Sequence, residues 1–188
     1  MDAKRINLQE INLESLELLG GGLEGQAYRY NEELVVKVTS QHSYYLFKAF
    51  IGYDPVNLVK VYQCAERASD YLVLREYVEM GKKELKRSFV SKFFDSWRKS
   101  LKYNPANMGS ESPLVMLRNS VCIGNANVEC ALDIFRKNGC SEEEESMFHG
   151  TCQAIREIYV TAPYALIDIK PANFGFAKDG TIKYFDWS

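Results

Sequence analysis

Two hydrophobic periods divide the chain near residue 81. Before that point, apolar residues alternate with polar ones or form short runs bounded by turn residues, the pattern of strands. Residues 15–19 (SLELL) lead into a glycine cluster, 25–30 (GQAYRY) follow, a polar Asn31-Glu32-Glu33 turn intervenes, and 34–38 (LVVKV) complete a three-stranded antiparallel opening. The aromatic stretch 44–50 (YYLFKAF) predicts a short helix, broken after Asp54-Pro55. Runs at 58–62 (LVKVY) and 71–78 (YLVLREYV) predict two more strands. Beyond Lys82 the period becomes helical: Leu85, Phe89, Val90, Phe93, Phe94, Trp97 and Leu101 share one face of a helix over 82–102. The stretch 104–124, with Pro105, Gly109 and Pro113, reads as loop, and 128–137 as a helix stopped by Asn138-Gly139. Ser141 and Glu144 form a capping box for a helix with Phe148, Cys152, Ile155 and Tyr159 as its stripe. The tail from Asn173 predicts a hairpin whose turn uses Gly180. The fold class is α+β: a sheet-rich part over 1–80 and a helical part over 81–188.

Composition narrows this picture. At 188 residues, 46% hydrophobic and 26% charged, the chain suits one globular domain or two small lobes sharing a core. No apolar run approaches the ~20 residues of a membrane span, and the first residues lack the apolar core of a secretory signal. A net charge of −2 gives no global basic footprint, so nucleic acid is not expected as a partner. Five cysteines in no CxxC pair, with two histidines, are read as reduced thiols, which places the chain in a reducing compartment such as the cytoplasm. The helix at 82–102 carries Lys82, Lys83, Lys86, Arg87, Lys92, Arg98, Lys99 and Lys102. They are either a docking surface for an acidic partner or a solvated face. His149 is expected to be structural.

Three constellations carry chemistry. Gly20, Gly22 and Gly25 stand in GxGxxG spacing, which alone fits a dinucleotide-binding turn or a merely flexible one. Here the glycines lie between strands rather than between a strand and a helix. A glycine hairpin of that kind can close over a polyphosphate, because its backbone N–H groups approach the oxygens closely. Lys37, among Val35, Val36 and Val38, is then either a phosphate-directed ammonium or the exposed member of an alternating strand. Asp168 and Asn173 lie five residues apart in a loop, with Asp186 at the end of the tail hairpin. Their oxygens suit proton acceptance and hard Mg2+ ions.

Together these residues resemble the eukaryotic-type protein kinase family. GGGLEGQAY is similar to its glycine-rich loop, VVKV to its lysine strand, DIKPAN to its catalytic loop and Asp186-Trp187-Ser188 to its metal-binding triplet, while 71–79 (YLVLREYVE) resembles the fifth strand and hinge. The resemblance implies a two-lobed fold: an N-lobe over 1–80, with a five-stranded antiparallel sheet, a short helix and a hinge at 76–80, and a reduced helical C-lobe over 81–188. It implies ATP and Mg2+ as cofactors. Gly20, Gly22, Gly25, Ala27, Lys37, Glu76 and Val78 would hold the nucleotide, Asp168 would orient the acceptor hydroxyl, Lys170 would neutralise the γ-phosphate, and Asn173 and Asp186 would ligate metal. The implied activity is transfer of the γ-phosphate to Ser or Thr of a protein substrate.

The sequence also departs from that family. No glutamate between Val38 and Tyr53 is placed to hold Lys37; Tyr45 falls near the expected position, so another carboxylate or the nucleotide itself must orient the lysine. Leu166-Ile167 replaces the family's His-Arg, which points to a constitutive or partner-switched protein. Arg75 replaces an uncharged residue before the hinge and is expected to salt-bridge within the cleft. Only Trp187 and Ser188 follow Asp186, so the later family elements are not expected, a habit of small kinases injected by bacterial pathogens or made by bacteriophages. A host-cell protein would then be the substrate. An ATP-binding pseudokinase scaffold and an aminoglycoside- or choline-type phosphotransferase are the alternative readings.

Overall fold

In the computed structural model, residues 3–22, 25–101, 113–123 and 125–187 are described. Strands β1 (Glu17–Gly22), β2 (Gly25–Arg29), β3 (Leu34–Thr39), β4 (Val61–Glu66) and β5 (Tyr71–Glu76) form one antiparallel sheet in the order β1-β2-β3-β5-β4. Helix α1 (Gln41–Lys48), capped by the Ser40 hydroxyl on the Ser43 amide, joins β3 to the loop before β4. The other helices are α2 (Lys83–Ser100), α3 (Pro113–Ile123), α4 (Asn125–Lys137) and α5 (Glu142–Thr161), followed by the hairpin β6 (Phe174–Phe176) and β7 (Ile182–Tyr184). The protein is α+β, with a five-stranded antiparallel sheet and five helices among the described residues. None of those helices is long and apolar enough to cross a membrane.

The two-residue period of β3 and β5 explains how the sheet serves two cores. Leu34, Val36, Leu72 and Leu74 face outward and are covered by Ala3, Ile6 and Leu8 from a run of short 3-10 turns. The apolar residues Ile6, Leu8, Ile11 and Leu13, spaced two or three apart, are the sequence signal for this cover, which lies before the first expected strand at residue 15. The opposite face presents Val35, Lys37, Val73 and Arg75, since Val35 pairs with Arg75 and Lys37 with Val73. Val73 joins a continuous core running from Tyr44 and Phe47 of α1 through the helices to Trp187. Its centre is aromatic: Phe89, Phe93, Phe135 and Phe148 meet at centroid distances of 5.1–6.0 Å, and Trp97 stacks on Phe148.

The hairpin is bonded on two sides, and this fixes the chain entering Asp186. The Val59 amide donates to the Tyr184 carbonyl at 2.8 Å and the Tyr184 amide to the Asn57 carbonyl at 2.9 Å. Glu79 and Phe176 exchange both backbone bonds. Gly175 permits that pairing, because a Cβ there would lie 2.6 Å from the Glu79 carbonyl oxygen.

Several expectations need correction. Residues 58–59 belong to the hairpin contact, so β4 starts at Val61 rather than Leu58. Residues 113–123, read as loop, are a helix: proline at its first position has no intrahelical N–H to lose. Residues 102–112 and Gly124 lie outside the described residues. Along α2 and at its N-cap, Lys82, Lys83, Arg87, Arg98 and Lys99 are exposed, as on a solvated face, whereas Lys86 and Lys92 turn inward. Lys86 is 2% exposed and donates to the Phe174 carbonyl at 2.6 Å, Lys92 binds Glu144 at 2.8 Å, and Lys82 binds Glu143. Arg98 and Lys99 pair with Asp95, which they hold at about 2, well below the usual aspartate range. Phe94 and Tyr159, read as apolar-face residues, are each 37% exposed. His149 is exposed at the side of α5 near Glu145. All five cysteines are free thiols, and burial pushes Cys64 and Cys152 up to about 12.

Candidate functional site

A cleft of about 790 Å3 opens between the sheet and the hairpin. Its roof is β1, where Gly20 and Gly22 leave open space above the backbone. Gly20 and Gly22 are thus part of the strand itself, and residues 23–24 lie outside the described residues. Gly25 re-enters β2 with φ of +126°, and a side chain there would strike the Val38 carbonyl. Of the residues singled out from sequence, Gly20, Gly22, Gly25, Lys37, Glu76, Val78, Asp168, Lys170, Asn173 and Asp186 all line this cleft. Ala27 does not: it pairs with Lys37 on the same face of the sheet but is not among the lining residues.

Lys37 is buried, and its ammonium contacts Asp186 at 2.7 Å and lies 5.1 Å from the Phe47 ring centroid. The carboxylate that α1 lacks is therefore supplied by Asp186, while Tyr45 is 51% exposed. What α1 contributes is aromatic packing. Phe47 and Phe50 pack on Trp187 at 4.7 and 5.1 Å, which anchors the residue after Asp186. Ile167 is buried and bridges through its backbone to Trp187, which ties the loop down.

Ile167 and Ile169 are buried and hold Asp168 between them on the accessible side of the loop. Lys170 reaches back to Asp168 at 2.5 Å. The Asn173 side-chain nitrogen donates to the Asp168 carbonyl at 3.1 Å, and the Phe185 amide donates to the Asn173 carbonyl at 3.1 Å. This fixes the Asn173 carboxamide so that its oxygen keeps its acceptor capacity. That oxygen and the Asp186 carboxylate are the hard donors Mg2+ takes when one or two protein oxygens are completed by phosphate and water. In donor type the pair matches such an ion. No cluster of three or more His, Cys, Asp or Glu side chains placed to hold a metal occurs among the described residues.

At the opposite end, residues 76–80 form the wall joining the two parts. The Glu76 carboxylate is committed to Lys183 at 2.9 Å and to the Lys60 amide at 3.1 Å. The Tyr77 amide donates to the Glu33 carbonyl, and its hydroxyl accepts from Arg29. Val78 has neither backbone group hydrogen-bonded among the described residues, which leaves a donor and an acceptor for a planar ligand edge. Met80 and Phe185, which sequence reasoning passed over, add apolar lining.

Arg75 does not form the expected salt bridge. Its Nη1 donates to the Phe185 carbonyl, and its guanidinium carbon lies 4.9 Å from the Phe185 ring centroid. Burial pushes the guanidinium down to about 10, against the pull of the Asp186 carboxylate. No family model and no curated protein matches this sequence.

Proposed function

We propose that the protein is an ATP- and Mg2+-dependent phosphotransferase of protein-kinase type, in which residues 1–80 act as the nucleotide-holding lobe and 81–188 as a reduced catalytic lobe. The observation that carries this reading is convergence. Lys37, Asp168, Asn173 and Asp186, up to 149 residues apart, line one cleft beneath a glycine strand and beside the open backbone of Val78. A purine edge meets the Val78 amide and carbonyl, and the glycine strand lies over the phosphates. Lys37 turns from Asp186 toward the α- and β-phosphates. Asn173 and Asp186 would hold Mg2+, which would supply neutralising charge to the phosphate oxygens. Asp168 orients a Ser or Thr hydroxyl and accepts its proton as the oxygen bonds to the γ-phosphorus and the β–γ bridging bond breaks, releasing ADP. Lys170 moves from Asp168 to the transferring phosphoryl group. Positioning and charge stabilisation carry most of such a reaction.

The test is incorporation of labelled phosphate from ATP with Mg2+ into the protein itself or a cell extract, with Lys37→Ala and Asp186→Ala as controls. Incorporation by the wild type and its loss in both variants is expected. Equal labelling in all three overturns the reading. One observation favours a second, ATP-binding scaffold: Lys37 and Lys170 each already hold a carboxylate that chemistry would need. That reading predicts a melting shift with ATP and no transfer.

A further inference from the structure

The inner end of the cleft has two cations and one carboxylate. Lys37 and Arg75 emerge from the same face of the sheet, because Arg75 pairs with Val35 and Lys37 lies two residues along that strand. Both converge on Asp186: Lys37 by direct contact and Arg75 through the neighbouring Phe185 carbonyl. The other cleft carboxylates are engaged elsewhere. Glu76 is held by Lys183 and the Lys60 amide, and Asp168 by Lys170.

Arg75 is 6% exposed, its Nε is buried with no hydrogen-bond partner, and the bond to Phe185 is its one hydrogen bond among the described residues. A guanidinium has five donors and no acceptor, and Arg75 lines the cleft, so most of its donors are left without a protein partner among the described residues. Burying a cation under those conditions is costly unless an anion arrives. Planar N–H donors match phosphate oxygens in geometry.

We propose that Arg75 is a second polyphosphate-binding cation beside Lys37, so that the cleft holds a nucleoside triphosphate without a divalent ion. The inference rests on the nucleotide reading of the same cleft. The metal is then required for transfer but not for binding. Without metal, the triphosphate meets the Lys37 ammonium and the Arg75 guanidinium, both buried.

Calorimetric titration with ATP, in Mg2+ and in EDTA, tests this on wild type, Arg75→Met and Arg75→Lys. Expected for wild type is an affinity in EDTA within about tenfold of that in Mg2+, because two buried charge-assisted contacts remain. Arg75→Met should lose roughly tenfold or more in EDTA and less in Mg2+, with Arg75→Lys between them. Wild type binding in Mg2+ but failing in EDTA overturns the proposal without using any variant. Arg75→Met that melts like wild type and binds equally well in EDTA also overturns it. Absence of binding in both conditions overturns the nucleotide reading itself, and the inference with it.

Discussion

Lys37 and Asp186 meet at 2.7 Å with side chains 7% and 24% exposed, whereas Lys170 and Asp168, in the same cleft, meet at 2.5 Å with 66% and 37%. The chemistry of the two pairs is identical and their surroundings are not. The first is walled by Phe47, Trp187 and the sheet, so each partner is costly to leave alone. The second stands in water on a loop pinned by Ile167 and Ile169, where breaking the pair exposes charges to solvent at little cost. Breaking the buried pair therefore costs the cleft stability unless a ligand takes over each partner, whereas the exposed pair exchanges partners at little cost.

Removing one member of each pair should separate them most strongly. Asp186→Ala leaves Lys37 and Arg75 buried together, and the expected loss is about 3–5 kcal/mol, or roughly 10 °C in melting temperature. Replacing both members, Lys37→Met with Asp186→Leu, should recover much of it, since an apolar pair of similar volume carries no desolvation cost. Calorimetric unfolding of the single and double variants measures this. A single variant that melts like wild type would dissolve the distinction between the pairs.

A third carboxylate carries the same contrast into the helical part. Glu144 stands in a run of four glutamates, yet only Glu144 is buried, accepting from Lys92, Ser88 and the Ser141 amide. Burial alone would raise its pKa, but those bonds outweigh it and hold the carboxyl below its ordinary value. The group therefore contributes stability that is complete above the unfolded glutamate value of about 4.3 and is lost as pH falls through the lower folded value. Glu144→Gln should cost about 1–2 kcal/mol at neutral pH, and the difference from wild type should shrink on acidification below pH ~4. Melting temperature against pH for both proteins checks it. A difference independent of pH would mean that the charge contributes nothing.

The sequence made the strands, the Ser141 capping box, the tail hairpin and most of the cleft residues legible, because each has a local signal: alternation, cap spacing, a turn glycine or a motif. What escaped it depended on distant partners or on ambiguous punctuation. Pro113 reads equally as a loop breaker and as a helix start, and only the packing of Leu117 and Val121 into the core decides. Lys86 looked like one of eight surface cations, since nothing nearby in sequence announces the Phe174 carbonyl that takes its proton donors. The missing carboxylate for Lys37 was sought on the helix that follows it, and the structure supplies it 149 residues away. Arg75 was recognised as out of place, but its partner, a backbone carbonyl, has no side-chain signature.

The smallest stability effect is expected at the exposed pair, and it sharpens the comparison by separating folding from chemistry. Lys170→Ala removes an ammonium that is two-thirds exposed, so the unfolding free energy should stay within about 0.5 kcal/mol of wild type. On the phosphotransfer reading the same ammonium meets charge that develops on the moving phosphoryl group. Loss of one such contact typically lowers turnover about 100-fold. Nucleotide affinity should change much less, because Lys37, Arg75 and the Val78 backbone are untouched. Measuring melting temperature, ATP affinity and transfer rate on one preparation tests all three statements. A variant that melts several degrees lower would show that the fold depends on the Lys170 pair as it does on the Lys37 pair, and the contrast between the two would fail.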